Sequence, residues 1–260
     1  NIIKNVHNRH PLIHCITNYV SINDCANIVL ACGGAPIMAE DINEVSQITS
    51  ICQGLDINIG MLNDNKLSSM LKAGATANEL GIPVILDPVG AGSSDYRIKA
   101  VQNLMSNVQF GVIRGNVSEI KAIAAKQGIH NIAAGVYETM QKNKSAMGVE
   151  AGIADKITDD NIKEMADFIN KLSQKTGAVI AVTGGIDMVA DENRVYAIRN
   201  GHKMMSLVTG AGCQLSALTS AYVAADKEHI LESVCAAVSV MGISGEPVSY
   251  THLRAHETTL

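Results

Sequence analysis

The sequence predicts an α/β fold with a central, mostly parallel sheet that is flanked by helices on both faces. Short apolar runs alternate along the chain with longer segments whose apolar residues recur at helical spacing, and this alternation is typical of parallel strands joined by helices. The chain has 260 residues, of which 47% are apolar and 17% charged, a composition typical of one compact globular domain. At this length a single core buries roughly 75% of the unfolded chain's surface, so packing alone can stabilise the fold.

Seven short apolar runs are the candidate strands of this sheet. Each run lies between longer segments and is followed by polar or turn-forming residues, as expected of a buried strand. In chain order the runs are Leu12–Ile16, Ala35–Met38, Ile57–Ile59, Val84–Leu86, Val112–Ile113, Val179–Val182 and Met188–Ala190.

Two of the intervening segments have a clear helical period. After Asp64, a candidate N-cap, apolar residues recur at steps of three and four residues from Leu67 to Gly74. The same spacing recurs from Ile162 to Leu172. Both segments are predicted to be helices that lie on the sheet.

Residues 1–246 are predicted to form a single domain, and two segments fit its pattern poorly. The segment from Lys126 to Lys156 is long and weakly periodic, and we interpret it as a helical excursion or an extended loop without a catalytic role. From Pro247 the composition changes abruptly and continues no apolar period. We therefore expect residues 247–260 to be an atypical tail without regular structure, a candidate for foreign sequence. The missing initial Met suggests a fragment.

Charge and composition argue against nucleic acid and membranes as partners. The net charge is −5, and no run of five basic residues offers a surface for a phosphate backbone. Six Tyr, two Phe and no Trp leave little for base stacking or for membrane anchoring. The segment Met204–Ala225 has no charge and is long enough to span a bilayer, but its glycines and polar residues favour a loop that leads into a buried helix.

The six cysteines predict a reducing, cytoplasmic location. They form no CxxC pair and no Cys/His pairing at zinc-finger spacing, and the chain starts with no signal-like segment. Five of them lie in apolar segments and are expected to be small buried side chains: Cys15, Cys25, Cys32, Cys52 and Cys235.

Parallel sheets bind their ligands beyond the carboxyl ends of the strands. The polar or glycine-rich segments that directly follow predicted strands are therefore the candidate site. These are Asp87–Gly92, Arg114–Asn116 and Thr183–Gly185, and we expect them to share one rim with Thr209–Cys213, which precedes the charge-free helix.

The segment Gly210–Cys213 is the strongest local signal for phosphate binding. Glycines let backbone N–H groups approach an anion at the start of a helix, although an ordinary glycine loop before a buried helix has the same pattern. Cys213 would lie in the positive field of this helix N-terminus, which favours a thiolate, unless the cysteine is structural.

The other rim residues have both functional and structural interpretations. Asp87 follows a strand directly, and a carboxylate there commonly binds Mg²⁺ through water. Asn116 and Glu119 have the spacing of a capping box as well as that of a metal or water site. Thr183 either caps the next turn or contacts a nucleotide. Met38, one of 11 methionines, is expected to be a core residue.

Taken together, six motifs in order closely resemble the hydroxyethylthiazole kinase family of the ribokinase-like superfamily. The resemblance extends from about Asn5 to Glu246, and six ordered motifs are far more specific than any one of them. The motifs are His14–Val20 with Asn23-Asp24, Pro36–Ala39, Leu86–Gly90, Arg114–Glu119, Val182–Gly185 and Thr209–Cys213.

The resemblance implies an ATP-dependent kinase that phosphorylates the hydroxyl of 4-methyl-5-(2-hydroxyethyl)thiazole in thiamine salvage. It also implies a requirement for Mg²⁺ and a homotrimer whose thiazole pocket lies between subunits. Matching motifs imply nucleotide contact for Arg114 and Thr183 and thiazole contact for Met38 and Gly210, with Asn116 as a further nucleotide-binding candidate and Asn18 and Asn23 as further pocket candidates. The requirements of phosphoryl transfer assign the remaining roles: Asp87 and Glu119 are expected to hold Mg²⁺ and its waters, and Ala211, Gly212 and Cys213 to stabilise the phosphoryl group.

One position separates this chain from most ribokinase-like kinases, which have an aspartate base where Cys213 stands. A thiol is mostly protonated at neutral pH, so the chemistry is expected to depend on electrostatic stabilisation. Two alternatives stay open. One is another ribokinase-like kinase, for hydroxymethylpyrimidine or a sugar, which would be expected to have the acidic base. The other is a catalytically silent binding protein.

Overall fold

The computed structural model describes residues 2–129 and 156–257. Its strands are β1 (Leu12–Ile16), β2 (Ala35–Ile37), β3 (Gly54–Asn58), β4 (Val84–Asp87), β5 (Val112–Asn116), β6 (Val179–Thr183), β7 (Asp187–Ala190) and β8 (Val195–Ile198). They form one sheet in the order β2-β1-β3-β4-β5-β6-β7-β8. Strands β1 to β6 are parallel, and β7 and β8 extend the sheet as an antiparallel ribbon.

Helices cover both faces of this sheet, which confirms the predicted fold class. They are α1 (Ile2–Arg9), α2 (Ile22–Ala31), α3 (Val45–Ile51), α4 (Asp64–Glu79), α5 (Asp95–Asn107), α6 (Val117–Lys126), α7 (Ile162–Thr176), α8 (Ala211–Ala225) and α9 (Ile230–Glu257), with a 3₁₀ helix at Lys203–Leu207. Helices α3 to α7 pack on one face, the α4 face, and α1, α2, α8 and α9 pack on the other, the α8 face.

The alternation of side chains along β3 shows how the two faces differ. Leu55 and Ile57 are fully buried in the aliphatic cluster of the α4 face. Gly54, Asp56 and Asn58 have the opposite parity and lie on the α8 face, because successive side chains of a strand point to opposite sides. A Cβ at Gly54 would lie 3.1 Å from the Ala224 Cβ of α8. The carboxyl end of β3 therefore presents polar side chains to α8.

All seven predicted strands correspond to observed strands, with two corrections. The run Ile57–Ile59 marks only the end of β3, which begins at Gly54, because the polar residue Asp56 interrupts the apolar pattern. Strand β8 at Val195–Ile198 was not predicted, since this edge strand is half-exposed and has no buried side chain to mark it.

Both predicted helices form, with one correction at a cap. The N-cap of α4 is Asn63 rather than Asp64: its backbone is extended and its side chain accepts a hydrogen bond from the Lys66 amide at 2.9 Å, as a cap requires. The segment Met204–Ala225 consists of the 3₁₀ helix, a turn and the buried helix α8. The interpretation of that segment as a loop before a buried helix is confirmed.

The expectation of no regular structure after Pro247 is wrong, because α9 continues through Pro247 to Glu257. The last turns contain the strong helix formers Leu253, Arg254, Ala255 and Glu257, and one proline removes only one amide donor from the helix. The window Ile230–Pro247 is the one described helix that is long and apolar enough to cross a membrane. Leu231, Val234 and Val238 of this window are buried in the core against α8. Most of the segment Lys126–Lys156 lies outside the described residues.

Candidate active site

Four side chains at the carboxyl ends of neighbouring strands form the floor of the candidate site. Asn58 ends β3 and Asp87 ends β4, and the two residues are directly opposite each other in the parallel register. Arg114 lies near the end of β5 and Thr183 ends β6. Asn58 Nδ2 donates to Asp87 Oδ2 at 2.8 Å, and Arg114 Nη2 donates to Thr183 Oγ1 at 2.7 Å. The predicted common rim thus exists in the structure.

The start of α8 closes the site above this floor. Gly210 is the N-cap and has a left-handed backbone, with φ of 80°, and a Cβ there would lie 2.7 Å from Ser21 Cβ. A Cβ at Gly212 would lie 2.8 Å from Arg114 Nη1. Gly210 therefore requires glycine for its left-handed conformation, and a side chain at Gly212 would displace the Arg114 guanidinium.

The amides at the start of α8 are not capped by a side chain. The first intrahelical hydrogen bond is from the Gln214 amide to Gly210 O, at 2.9 Å. The amides of Gly212 and Cys213 precede it and belong to the turn whose N–H groups have no intrahelical partner. Together with the adjacent Arg114 guanidinium, they make this turn suitable for binding an anion.

Asn18 connects the loop after β1 to both α8 and β3. Its Nδ2 donates to Cys213 Sγ at 3.1 Å and to Asn58 Oδ1 at 3.1 Å. Its Oδ1 accepts hydrogen bonds from the amide and the hydroxyl of Ser21, each at 3.2 Å. Asn18 is thus at the site, as predicted.

The structure corrects the expectation that the helix field favours a thiolate at Cys213. The side chain is buried, and burial raises the pKa of the thiol, with a further upward contribution from the negative charge of Asp87. The hydrogen bond from Asn18 acts in the opposite direction but is weaker. The prediction that the Cys213 thiol is mostly protonated is therefore supported.

Asp87 is fully buried, and burial raises its pKa to about 6, with the Arg114 charge opposing the shift. Its Oδ2 accepts from Asn58, whereas its Oδ1 has no hydrogen-bond partner and lies 3.6 Å from Arg114 Nη1. A buried carboxylate with one free oxygen fits a Mg²⁺ ion held through water, because Mg²⁺ commonly uses one or two carboxylates and completes its shell with water and phosphate oxygens.

Glu119 and Asn116 form a complete capping box at the start of α6. Asn116 Oδ1 accepts from the Glu119 amide at 2.9 Å, and Glu119 Oε2 accepts from the Asn116 amide at 2.8 Å. Glu119 Oε1 accepts in addition from the Gly90 amide at 2.8 Å. This geometry agrees with the capping box, and it also leaves Glu119 able to bind a metal ion or water, because each oxygen of its carboxylate has a further lone pair. Among the described residues no group of three or more acidic, His or Cys side chains has the arrangement of a metal site.

Two predicted pocket residues lie away from these contacts. Asn23 is exposed in the first turn of α2. Met38 directly follows β2, the edge strand two positions from β3, and is half-buried against the apolar cluster of the α8 face. The expected core packing of Met38 is thus observed, and its role in substrate binding stays a prediction.

Sequence reasoning did not identify two cations that fix the loops of the site, the buried Lys66 and the partly buried Arg97. Lys66 Nζ donates to the carbonyl oxygen of Thr17, next to Asn18. Arg97 donates to the carbonyl oxygens of Gly60 and Val89, each at 2.7 Å, and so ties together the loops after β3 and β4. No sequence motif marks either residue, because each contact joins distant parts of the chain.

Asp56 was also missed, since it lies within a strand rather than after one. Neither of its carboxylate oxygens has a hydrogen-bond partner, and the residue is completely buried. Burial, together with the negative charge of Asp87, raises the pKa of Asp56 well above its ordinary value. A neutral carboxylic acid is thus the favoured form below the active-site floor.

The fold and this site define the chain as a ribokinase-like α/β protein. A ribokinase-like superfamily protein from Enterococcus faecalis V583 has the same fold, with a TM-score of 0.60 at 11% identity over 96% of this chain and 82% of that one.

The chain belongs to the hydroxyethylthiazole kinase family, whose profile matches residues 3–257. It is 51% identical over 251 residues to hydroxyethylthiazole kinase from Clostridium acetobutylicum strain ATCC 824, covering 96% of this chain and 86% of the relative. The structure of a hydroxyethylthiazole kinase from Pyrococcus horikoshii OT3 has a TM-score of 0.76 at 32% identity, over 91% and 80% of the two chains. The resemblance deduced from the six motifs is confirmed.

Proposed function

We propose that this chain transfers the γ-phosphoryl group of ATP to the hydroxyl of 4-methyl-5-(2-hydroxyethyl)thiazole at the start of α8. Family membership supports the reaction. The observation that supports its location is the uncapped turn at residues 210–213, which lies against Arg114 and Asp87.

The turn and Arg114 stabilise the charge of the migrating phosphoryl group. Phosphoryl transfer requires mainly positioning and charge stabilisation, and the amides of Gly212 and Cys213 offer donors that need no reorganisation. The Ala211 amide, predicted to share this role, already donates to the Val208 carbonyl oxygen at 3.3 Å. Arg114 adds a fixed cation. Thr183, which accepts a hydrogen bond from this guanidinium, and Asn116 contact the nucleotide.

The acceptor alcohol binds on the other side of the turn, where Gly210 and Asn18 lie. Because burial raises the pKa of the Cys213 thiol, Cys213 contributes little as a base. As the acceptor oxygen bonds to the γ-phosphorus, the bond to the β-phosphate oxygen breaks and ADP leaves, and the acceptor proton passes late to an oxygen of the transferred phosphoryl group. Met38 and Asn23 complete the thiazole pocket across a subunit boundary.

ATP use follows from the kinase family, and a divalent cation accompanies it. Asp87 and Glu119 hold Mg²⁺ through its water shell in this proposal. When bound, Mg²⁺ supplies positive charge for the phosphate oxygens. The observation that supports Asp87 in this role is that its Oδ1 accepts no hydrogen bond and lies 3.6 Å from the Arg114 guanidinium, on the phosphate side of the site.

We also propose that the chain is a cytoplasmic homotrimer. Exposed apolar side chains occur in the loop after β1 and just before Gly210, so they flank the turn: Tyr19 at 55%, Val20 at 64%, Leu207 at 79% and Val208 at 56% exposure. Such clustering favours burial against another chain. Light scattering should give three times the chain mass. A monomer would have no pocket between subunits, and it would contradict the role of Met38 in substrate binding.

The direct test of the reaction is ADP release by the purified protein with ATP and Mg²⁺, with and without the thiazole alcohol. The proposal predicts thiazole-dependent ADP formation that stops when EDTA removes the metal. Preference for hydroxymethylpyrimidine or a sugar would identify another ribokinase-like kinase. A ligand-induced rise in melting temperature without ADP would identify a silent binding protein.

A further inference from the structure

Asn58 is the side chain that joins the two halves of the site. It is fully buried at the end of β3, and its amide makes three hydrogen bonds and also interacts with the Cys213 thiol, whose pKa it lowers against the effect of burial. Oδ1 accepts from the Gly60 amide at 2.9 Å and from Asn18 Nδ2 at 3.1 Å, and Nδ2 donates to Asp87 Oδ2 at 2.8 Å.

These partners fix the orientation of the Asn58 amide. The backbone N–H of Gly60 can only donate, so Oδ1 of Asn58 must face it and Nδ2 must face Asp87. A flip of the amide would place two donors opposite each other at Gly60 and two acceptors opposite each other at Asp87. The orientation is therefore determined by a backbone group outside the reacting centre.

The fixed amide in turn orients Asn18. One N–H of Asn18 is directed to Asn58 Oδ1, which leaves the other N–H for Cys213 Sγ. Asn18 Oδ1 faces the donors of Ser21, so Asn18 cannot flip without losing all of these contacts. A continuous chain of hydrogen bonds thus connects Cys213 to Asp87 through two amides.

We propose that Asn58 is a positioning residue of phosphoryl transfer. It holds Asn18 and Cys213, on the side of the acceptor alcohol, at a fixed position relative to Asp87, on the side of the phosphates. The inference rests on the proposed function of these three residues. Asn58 itself lies beneath the reactants and acts through its neighbours. Its removal should change the geometry in which both reactants meet more than it changes the binding of either one.

The first test is the kinetics of Asn58→Ala. Misplacement of reacting groups by about 1 Å costs about a hundredfold in rate, so we expect kcat to fall about a hundredfold, with KM for ATP changed less than about threefold. An unchanged kcat, or an increase in KM alone, would overturn the proposal. Asn78→Ala is the matched control, because Asn78 also bridges two segments by two hydrogen bonds, to Gln109 O and from the Gln109 amide. Its kcat should equal that of the wild type.

The second test is a double-mutant cycle with Asn18→Ala. If Asn58 acts through Asn18, the double variant should have a kcat within about threefold of the lower single variant. Multiplicative losses would show two independent effects and contradict the inference.

A crystal structure of Asn58→Ala tests the positioning role without an activity measurement. We expect Asn18 to turn away from Cys213, so that the Nδ2–Sγ hydrogen bond of 3.1 Å is lost while the strands stay in place. An unmoved Asn18 would refute the positioning role even if the wild type is an active kinase. A wild type without thiazole-dependent ADP release would refute the proposed function instead, and the movement of Asn18 would still decide the structural part.

Discussion

The two faces of the sheet are built from the same strands but differ in chemistry. On the α4 face the strands present fully buried aliphatic side chains, including Leu55, Ile57, Leu86 and Ile113. On the α8 face the same strands also bury Ile85 and Val112, but towards their carboxyl ends they present Asp56, Asn58, Asp87 and Arg114, all of them buried. Most of the unpaired buried polar atoms among the described residues also lie there, on Asp56, Asp87, Arg114, Ser216 and Thr219.

Within one sheet, the α4 face therefore contributes mainly to stability and the polar end of the α8 face mainly to function. Aliphatic packing contributes free energy of folding without specific partners. Buried polar groups without partners cost free energy, and they are retained where chemistry needs them. Substitutions on the two faces should therefore affect different measured quantities.

The largest effect is expected at Arg114, on the α8 face. Arg114→Ala removes the fixed cation beside the turn at 210–213, and kcat/KM should fall about a thousandfold, or about 4 kcal/mol. Arg114→Lys keeps the charge without the planar fork and should recover only part of the loss. Steady-state kinetics on soluble, folded protein provide the measurement.

Arg194→Ala is the charge control for this experiment. Arg194 pairs with Asp191 and Glu232 at the surface, where its side chain is 50% exposed. Exposed pairs contribute little, so this variant should retain normal kinetics. An equal loss at both arginines would mean that net charge, rather than the site, determines the rate.

The next largest effect is expected at Ile57, on the α4 face of β3. Ile57→Ala should lower the free energy of unfolding by about 3 kcal/mol, through lost burial and a cavity. Per folded molecule, kcat should be unchanged. Chemical denaturation measures the first quantity and active-site-normalised kinetics the second. A loss of kcat at full folding would contradict the separation of the two faces.

A smaller effect, with a distinct pH dependence, is expected for Asp56→Asn. The folded protein raises the pKa of Asp56, so above its unfolded pKa the folded state binds more protons than the unfolded state, and wild-type stability falls as pH rises. The amide keeps the shape and cannot ionise. The destabilisation that ionisation causes in the wild type at pH 8 should therefore be absent from the variant.

Melting temperatures between pH 4 and pH 8 test this expectation. The advantage of the amide should shrink towards pH 4, which is close to the ordinary Asp pKa, because the carboxyl of the unfolded wild type then also takes up protons. A pH-independent difference would show that Asp56 is charged in the folded protein.

The smallest effect is expected for Cys213→Ser. Since the thiol is protonated, a hydroxyl should reduce kcat only a few-fold. Cys213→Asp should keep or raise kcat, because a carboxylate is a better base and Asn18 Nδ2 can donate to it as it does to Sγ. A complete loss in both variants, with folding intact, would show that the thiol has another indispensable role.

The sequence predicted the sheet and its functional edge because both leave local signals. Apolar runs mark strands that are buried on both sides, and Asp87, Arg114 and Thr183 come directly at or after such runs. The half-exposed strand β8 and the polar side of β3 leave no such run. Their positions are determined by pairing with other strands, which local composition does not record.

The contacts between site residues could not be predicted in the same way. Asn58 and Asn18 are 40 positions apart, and Asn18 and Cys213 are 195 positions apart. Motif resemblance identified Asn18, but Asn58 lies inside the segment that apolar spacing assigned to a buried strand. The spatial arrangement of the amides follows from strand register and from the loops that Lys66 and Arg97 hold.

The register between β3 and β4 has one further consequence. It pairs Asn58 with Asp87 and Ile57 with Leu86, so a slip of β3 by a single residue would exchange the two faces of that strand. The aliphatic side chains of β3 would then face α8, and the carboxyl group of Asp56 would enter the aliphatic core of the α4 face. A chain with β3 in the wrong register would therefore be unstable. Along this strand, the only register that folds stably is the one that also assembles the catalytic site.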